Sequence, residues 1–485
     1  MHEPCTFPIP GGMSDSPPIP EPLWQTVPPE AQTALRARFE RLEQRIADLE
    51  ERLGKNSTNS SKPPSSDPPS VKRRPPAPAS GKKRGGQPGH RHHPRTLVPP
   101  EQLRRIIECK PPHCRWCGHD LRGDDPEPLR HQVAEVPPIQ PVVEEYRLHR
   151  LRCPRCHTRT CAPLPSGVPT GAFGPRLRAI LSVLAGAYRL GKRPIRQLAH
   201  DLFGLSISAG MIGYLERQGA AELEAPVEEL RDHVRDADWA HIDETSWKQG
   251  RDKAWLWTAV TRWVTVFAIA TSRGAEVAKD LLGTGRRKIV VSDRFKGYQW
   301  IKRRQFCWAH LKRDFQAMID RGGEAVEVGR RLMGHTDALF EWWHRVRDGT
   351  LARSSFRTYV ALMRPSLKED LERGAACACS KTAGTCRELL AGERHLWTFV
   401  RIEGIEPTNN DAERALRHGV IYRKLSGGTD SEHGSRFVER MLTVVATCRQ
   451  QEIDVLDYLT RCYQAHRDDQ PAPSLLPTAS ATQAA

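Results

Sequence analysis

The sequence predicts a multidomain α/β protein in which folded blocks alternate with linkers. The chain has 485 residues, more than a single hydrophobic core usually organises. Its 38% of hydrophobic residues suffices to build cores, but 39 Pro and 36 Gly are too many for a chain that is compact throughout. Helical spacing of apolar residues dominates the first half, and strand-like runs begin at Trp239.

The charge of the chain favours a polyanionic partner. Lys and Arg total 74 against 58 Asp and Glu, which gives a formal net charge of +16. The N-terminus has no basic segment leading into an apolar stretch, and no apolar run approaches the ~18 residues of a membrane helix. We therefore expect a cytoplasmic protein whose basic surplus binds nucleic acid. Charge alone does not distinguish a catalyst from a binding protein.

The first predicted element is a helix over residues 30–54, after an N-terminus (1–29) expected to be disordered. Its apolar residues recur at alternating spacings of 4 and 3: Leu35, Phe39, Leu42, Ile46, Leu49 and Leu53. This spacing is typical of a coiled-coil seam, and a lone helix of this length is marginal in water. We expect it to form a homo-oligomer. The alternative is an amphipathic helix that packs on its own domain.

Residues 55–100 have the composition of a flexible linker, rich in Asn, Ser, Pro and Gly and without an apolar period. A basic arm lies within it, and its candidate DNA-binding residues are Lys72, Arg73, Arg74, Lys82, Lys83 and Arg84. Such an arm can contact the phosphates of a nucleic acid. The alternative is a solvated run of charge.

Residues 101–165 contain two Cys-x-x-Cys pairs, Cys114 with Cys117 and Cys153 with Cys156. Each pair suits a tight knuckle, and four thiolates complete a tetrahedral shell for structural Zn²⁺. Between the pairs, residues 131–152 predict two strands around a Pro-rich turn. Redox pairs or chance are the alternatives. Four nearby residues are possible substitute ligands: Cys109, His113, His157 and Cys161.

Residues 170–225 predict a helical region with a helix-turn-helix pattern. Pro194–Phe203 and Ala209–Arg217 form two short helices around residues 204–208, and Ser208 is the expected N-cap of the second. Helical pairs of this kind also occur in proteins that do not bind DNA.

The last predicted domain spans residues 235–465. A strand ends on Asp243, two apolar runs at 254–260 and 264–270 predict a hairpin, and a further strand leads to Asp293. Two strands that each end in an aspartate can place both carboxylates at one sheet edge. Oxygen ligands of this kind bind hard divalent cations.

A third carboxylate, Glu413, lies in the first turn of a predicted helix. The structural alternatives are specific: Asn410 and Glu413 form a capping-box-like pair, and Glu413 lies four residues before Arg417. Asp243 and Asp293 are also candidates for turn formers at strand ends. Three acids in the order strand, strand, helix favour a shared site.

These residues resemble the transposases of the insertion sequence 66 family. The matching segments are His241-Ile-Asp243-Glu244-Thr245, Ser292-Asp293-Arg294, Cys307-Trp308-Ala309-His310-Leu311-Lys312-Arg313 and Asn409-Asn410-Asp411-Ala412-Glu413-Arg414. With the heptad helix, the linker and the cysteine block, the resemblance covers roughly residues 35–465.

The resemblance implies a ribonuclease-H-like catalytic domain with an Asp-Asp-Glu triad, which maps onto Asp243, Asp293 and Glu413. Alternatives for the third acid are nearby: Glu403, Glu406, Glu432 and Glu439. The long gap between Asp293 and Glu413 implies a helical insertion at about 300–400. The triad would hold two Mg²⁺ (or Mn²⁺) ions, and the activity implied is cleavage of element ends followed by strand transfer.

The implied partners are double-stranded DNA and small accessory proteins of the same element, in a bacterial nucleoid setting. Basic residues after the glutamate are candidates for phosphate contacts, with a solvated helix face as the alternative: Arg414, Arg417, Arg423 and Lys424. We expect Cys307 and His310 to pack rather than bind metal, and residues 466–485 to be disordered. The alternative function is that of a zinc-containing DNA-binding protein, or a degenerate copy, that does not cleave.

Overall fold

The computed structural model describes residues 20–60 and 96–477. Of these, residues 20–60, 144–201 and 205–477 belong to the larger of two compact units, and residues 96–143 with 202–204 belong to the smaller. No helix within the described ranges is both long enough and apolar enough to cross a membrane.

The N-terminal helices are α1 (Glu21–Trp24) and α2 (Pro29–Gly54), so the helix predicted from the heptads is present and ends at Gly54 as expected. Residues 20–28, expected to be disordered, are instead folded against α2. Trp24 is only 4% exposed, and its carbonyl accepts a hydrogen bond from Gln32 Nε2 (2.9 Å). The C-terminal seam residues of α2 remain exposed: Leu42, Ile46, Leu49 and Leu53.

The strands predicted at residues 131–152 are largely absent. Residues 131–149 form no strand, and the hairpin that does form lies later, with β1 (Arg150–Arg152) antiparallel to β2 (Arg159–Cys161). The apolar residues of the expected strands are strongly exposed, Val133 at 80% and Val142 at 91%. Isolated strands with nothing to bury are not stable in water, which explains why the alternating pattern misled.

Four helices follow: α3 (Pro175–Gly186), α4 (Lys192–Phe203), α5 (Ala209–Glu222) and α6 (Glu224–Asp236). The expected N-cap is confirmed, because Ser208 Oγ accepts a hydrogen bond from Met211 N (3.1 Å). Ile195 of α4 and Ile212 of α5 are buried in the same hydrophobic core as the sheet described next.

The sheet comprises β3 (Trp239–Gln249), β4 (Asp252–Val260), β5 (Thr265–Ala270), β6 (Ile289–Ser292) and β7 (Arg303–Phe306) in the order β5-β4-β3-β6-β7. The predicted hairpin is confirmed, since β4 pairs antiparallel with β5 and also with β3. β6 is parallel to both β3 and β7, and α7 (Ala275–Leu282) connects β5 to β6.

A helical block follows β7 at the place expected for the insertion. It contains α8 (Trp308–Asp320), α9 (Glu324–Arg347), α10 (Arg353–Ala376), α11 (Ser380–Ala391) and α12 (Thr398–Arg401). These helices form a second hydrophobic core, which includes Phe315, Leu332, Phe356 and Phe399 together with Ile289 and Val291 of β6 and Phe306 of β7. The insertion therefore packs on the edge of the sheet as well as within itself.

The chain then returns to the sheet with α13 (Asn410–Ser426), α14 (Glu432–Gln450) and α15 (Val455–Arg467). α13 packs on β3 and β4, and α14 packs on β5. Part of the tail expected to be disordered is packed: Leu475 is 1% exposed, and Tyr458 Oη donates to the Pro473 carbonyl (2.8 Å). Residues 478–485 lie outside the described ranges.

Candidate active site

The register between β3 and β6 aligns the first two predicted carboxylates. Trp239 pairs with Ile289 and His241 with Val291, an offset of 50 positions that brings Asp243 level with Asp293. β6 ends at Ser292, whereas β3 continues to Gln249. The expectation that both aspartates end their strands is therefore wrong for Asp243. Asp243 lies inside β3, and it is the neighbouring strand β6 that ends at this level of the sheet.

Backbone contacts fix the position of Asp293 after β6. Its Oδ1 accepts a hydrogen bond from Phe295 N (2.9 Å), and its carbonyl accepts one from Arg304 Nη2 (2.6 Å). Arg304 is only 5% exposed. Burial lowers the pKa of its guanidinium to about 10, and the negative charge of Asp293 opposes that shift.

Glu413 reaches the same place from the first turn of α13. The capping box considered as the structural alternative for Glu413 is not formed: α13 begins at Asn410, and the cap position is Asn409, whose side chain caps no N–H of the helix. Asn409 Nδ2 instead donates to the Ile242 carbonyl on β3 (2.8 Å). This contact joins the start of α13 to the strand that carries Asp243.

The electrostatics of Asp243 show that the three predicted carboxylates face one region. Burial raises the pKa of the Asp243 carboxyl well above its usual value, and the negative charges of Glu244, Asp293 and Glu413 raise it further. The three carboxylates are not one tight cluster, because within the described residues their oxygens do not all lie within 4.8 Å of one another.

A fourth carboxylate, Glu244, adjoins the three, and sequence reasoning gave it no role. Its side chain is 2% exposed and accepts hydrogen bonds from Arg273 Nε (2.9 Å) and Nη2 (2.7 Å) and from Tyr298 Oη. Burial nevertheless raises the pKa of Glu244, although both partners lower it. Its only sequence signal was its place next to Asp243.

Glu413 is held by residues of α8 from the insertion. His310 Nδ1 lies 3.5 Å from Glu413 Oε1, and Arg313 Nη2 lies 3.8 Å from Oε2. The alternative pairing of Glu413 with Arg417 is not among the ion pairs of the described residues. Cys307, His310 and Glu413 are the group of potential metal ligands, within the described part of the chain, whose ligand atoms all lie within 4.8 Å.

The Cys307 thiol has a structural partner. Its Sγ accepts a hydrogen bond from Asn409 N (3.1 Å), and burial raises the pKa of the thiol to about 12. A thiol with this pKa is protonated at neutral pH and is a poor nucleophile. The contact fixes the start of α13 a second time.

The predicted DNA-binding residues differ in their surroundings. Arg414, Arg417 and Lys424 are exposed on α13, and Arg414 pairs with Asp411. Arg423 is half-buried and donates to Thr245 Oγ1 (3.2 Å) and Ser246 Oγ (2.6 Å) on β3. The basic arm with Lys72, Arg73, Arg74, Lys82, Lys83 and Arg84 lies outside the described residues.

The two cysteine pairs have the same local geometry. Cys114 N donates to the His119 carbonyl (2.8 Å) and Cys153 N donates to the Thr158 carbonyl (2.9 Å), in each case five residues on. The residue four positions after each first cysteine, Gly118 or His157, has a positive φ. The pairs therefore form equivalent knuckles, which belong to different units of the chain.

Hydrogen bonds within the knuckles stabilise thiolates. The pKa of Cys114 is lowered by N–H groups of Cys117 and Trp116, and that of Cys156 falls to about 7, chiefly through Thr158. Thiolates are the form in which cysteine binds Zn²⁺.

Known proteins and protein families are similar to parts of this chain. Residues 20–96 match a family of unknown function. Two uncharacterized proteins of Sinorhizobium fredii are similar to this chain. One, y4hP, is 26% identical over 395 residues, covering 73% of this chain and 70% of its own length. The other, y4qI, is 25% identical over 402 residues, covering 74% and 72%. Residues 170–436, more than half of the chain, match the family described as Transposase IS66 family, and the protein therefore belongs to that family.

Proposed function

We propose that this protein is a DNA transposase that cleaves the ends of its element and transfers the freed strand to a target, using a ribonuclease-H-like domain. The observation that carries the proposal is the position of Asp243, whose pKa is raised by burial and then by the charges of Glu244 beside it and of Asp293 and Glu413 from different elements. A fold does not keep uncompensated acids together for stability, and such clusters are typical of functional sites.

The residues present fit divalent cations. Glu413 Oε1 is buried and has no hydrogen-bond partner among the described residues, so a cation can use it as a ligand. Carboxylate oxygens suit Mg²⁺ or Mn²⁺. Two ions held by Asp243, Asp293 and Glu413 would supply Lewis-acid activation of the attacking oxygen and charge stabilisation of the leaving oxygen.

The chain's own groups then position the reactants. Asn409 fixes the start of α13, and His310 and Arg313 orient the Glu413 carboxylate. Arg414, Arg417 and Lys424, exposed along α13, are available to phosphates on either side of the reacting one. The attacking group is a hydroxyl of water in the first step and the freed DNA 3′-hydroxyl in the second, so the protein need not supply a nucleophile.

We also propose that other parts of the chain hold the DNA. The two knuckles bind structural Zn²⁺, α4 and α5 act as a helix-turn-helix, and the basic arm neutralises phosphates. The exposed seam of α2 joins two copies, which suits an enzyme that acts on two element ends. Accessory proteins of the same element and a nucleoid setting belong to the same proposal.

The test is cleavage of a duplex carrying the element's terminal sequence, with Mg²⁺ or with EDTA, by the wild type and by Asp243→Asn. We expect the wild type to release a product with a 3′-hydroxyl only with metal, and Asp243→Asn to release none while it still binds the duplex. The matched control is Asp252→Asn, an exposed acid at the start of β4. Binding without cleavage by the wild type would favour the alternative of a non-catalytic DNA-binding protein.

A further inference from the structure

A cavity of about 610 Å³ lies beside the candidate active site and is separate from the three carboxylates. Its walls come from the end of α3, the first half of β3, and the facing sides of α13 and α14. Known small-molecule sites range from about 300 to 1,000 Å³, so this cavity has room for a ligand of that class.

One wall of the cavity carries a buried polar atom without a partner. His241 is 1% exposed, and its Nδ1 is bonded to Asn409 Oδ1 (3.0 Å). Its Nε2 has no hydrogen-bond partner among the described residues and lies 3.7 Å from Oδ2 of Asp411, which also lines the cavity. A buried polar atom left unsatisfied costs stability, which points to a ligand atom at this position.

A second wall carries Arg189, which follows the end of α3. Its φ of 61° belongs to the turn that ends this helix, where Leu190 N donates to the Leu184 carbonyl (3.0 Å). Its Nε is buried without a hydrogen-bond partner in the described ranges, and its Nη1 lies 3.5 Å from His418 Nδ1. The wall therefore holds a guanidinium whose hydrogen-bonding capacity is not filled by the described residues.

The arginines in the walls favour an anionic ligand, and a tryptophan beside them favours a ligand with a planar ring. The arginines that line the cavity are Arg189, Arg262, Arg414 and Arg449, and the acids there are Glu406 and Asp411. Both acids already have protein partners, because Trp343 Nε1 donates to Glu406 (3.3 Å) and Arg414 donates to Asp411. Arginines suit phosphate oxygens, and the half-buried ring of Trp239 offers a face for a planar base.

The cavity is also close to the place of DNA cleavage. His241 and Asp243 are two residues apart on β3, so their side chains lie on the same face of the sheet. Asp411 and Arg414 of the cavity flank Glu413 on α13. We propose that this cavity binds one nucleotide unit, with its base against Trp239, its phosphate on Arg189 and Arg449, and a polar base or sugar atom on His241 Nε2.

This inference rests on the proposed function only for the source of the nucleotide. The unit is either a nucleotide extruded from the bound DNA or a free nucleoside monophosphate. Extrusion of a nucleotide costs a few kcal/mol of stacking, which a pocket for base and phosphate offsets.

Photo-crosslinking with 5-iododeoxyuridine distinguishes these sources, because it reports directly on the aromatic residue beside the base. The free probe is 5-iododeoxyuridine monophosphate. The DNA probe is a duplex that carries the iodinated base at one position at a time near its 3′-hydroxyl end. Both are irradiated with the full-length protein in EDTA, and the modified residue is mapped by mass spectrometry. We expect Trp239 to be modified by the free probe, by one position of the duplex, or by both.

Two variants and one control test the site. Arg449→Gln removes a cavity charge and should lower the yield at Trp239 about tenfold, the usual effect of losing one charge-assisted contact. Ala446→Phe keeps every charge but fills the cavity and should abolish the modification. Arg461→Gln removes an equivalent exposed charge from α15, outside the cavity, and should change nothing.

The inference is overturned if neither probe modifies Trp239, if both variants behave as the control does while folded, or if inorganic phosphate displaces the free probe as well as deoxythymidine monophosphate does. Since the measurement needs no cleavage, it separates the two proposals. Modification of Trp239 in a protein that cuts no DNA leaves the inference standing and removes the proposed function. Cleavage without the modification does the reverse.

Discussion

His241 and Asn409 are hydrogen-bonded across a separation of 168 residues, with 3.0 Å between His241 Nδ1 and Asn409 Oδ1. Because Asn409 Nδ2 donates to the Ile242 carbonyl, its Oδ1 is free to accept, and the Nδ1–H of His241 is the donor. Asn409 N also donates to Cys307 Sγ. The fully buried Asn409 therefore links the start of α13 to β3 through its side-chain amide, and to Cys307 just before α8 through its backbone N.

Replacement of this amide should loosen the site as well as the fold. We expect Asn409→Ala to lower the free energy of unfolding by about 2–3 kcal/mol, because it leaves the Ile242 carbonyl and His241 Nδ1 buried without partners. The measurement is urea denaturation followed by tryptophan fluorescence. Asn410→Ala, at the exposed next position, is the control and should cost well under 1 kcal/mol. Equal losses from both variants would mean that the linking contacts contribute little.

Glu413 is distinguishable from the other glutamates near it by mutation. We expect Glu413→Gln to lower metal-dependent cleavage by roughly 100-fold or more, since one charged ligand is lost, with little change in duplex affinity. Glu403→Gln, on the exposed segment before α13, is the matched control and should retain activity. The check is the initial rate of product release at fixed Mg²⁺. A larger loss in Glu403→Gln would reassign the third acid.

The parts of this fold that were predictable are those with local signals. Apolar runs located β4, β5 and β6, and Ser208 was recognisable as an N-cap. At Asn410 the local alternative was a capping box, but the cap position is Asn409, whose side chain caps no N–H of the helix. Nothing local to Asn409 indicates that its partners lie on β3 and α8. Likewise the roles of His310 and Arg313 depend on how the insertion packs, which no periodicity encodes.

If the cysteine knuckles bind zinc, the zinc content of the protein should depend on their cysteines. We expect Cys114→Ser and Cys153→Ser each to lower the zinc content of the purified protein to near zero, because a tetrahedral site that loses one thiolate binds far more weakly. Metal analysis of the dialysed protein measures this content. Cys161→Ser, an exposed residue of β2 outside both knuckles, should leave it unchanged. Zinc retained in both knuckle variants would exclude a shared four-cysteine site.

The seam of α2 predicts the oligomeric state. Ile46 is 54% exposed and Leu49 is 47% exposed, so the described contacts leave them available to a second copy. We expect Ile46→Glu to reduce the molar mass measured by light scattering to that of one chain, because a charge in a coiled-coil seam loses its solvation. Arg45→Glu, one position earlier and off the seam, should leave the mass unchanged. An oligomer that survives Ile46→Glu would place the interface elsewhere.

Lys288 gives the protein a pH-dependent stability that is separate from the candidate site. It is 7% exposed, and its Nζ donates to the Val234 carbonyl. Burial lowers the pKa of this ammonium to about 8, although Asp236 and Asp238 oppose the shift. Between about pH 8 and the usual 10.5 the unfolded chain holds a proton at Lys288 that the folded chain has released. The free energy of unfolding should therefore rise with pH across this window, by up to about 3 kcal/mol relative to Lys288→Met.

Urea denaturation of both proteins at pH 7.5 and pH 10 measures the difference, and the exposed Lys302→Met should follow the wild type. Parallel pH dependence in wild type and Lys288→Met would show that Lys288 keeps its charge in the folded protein.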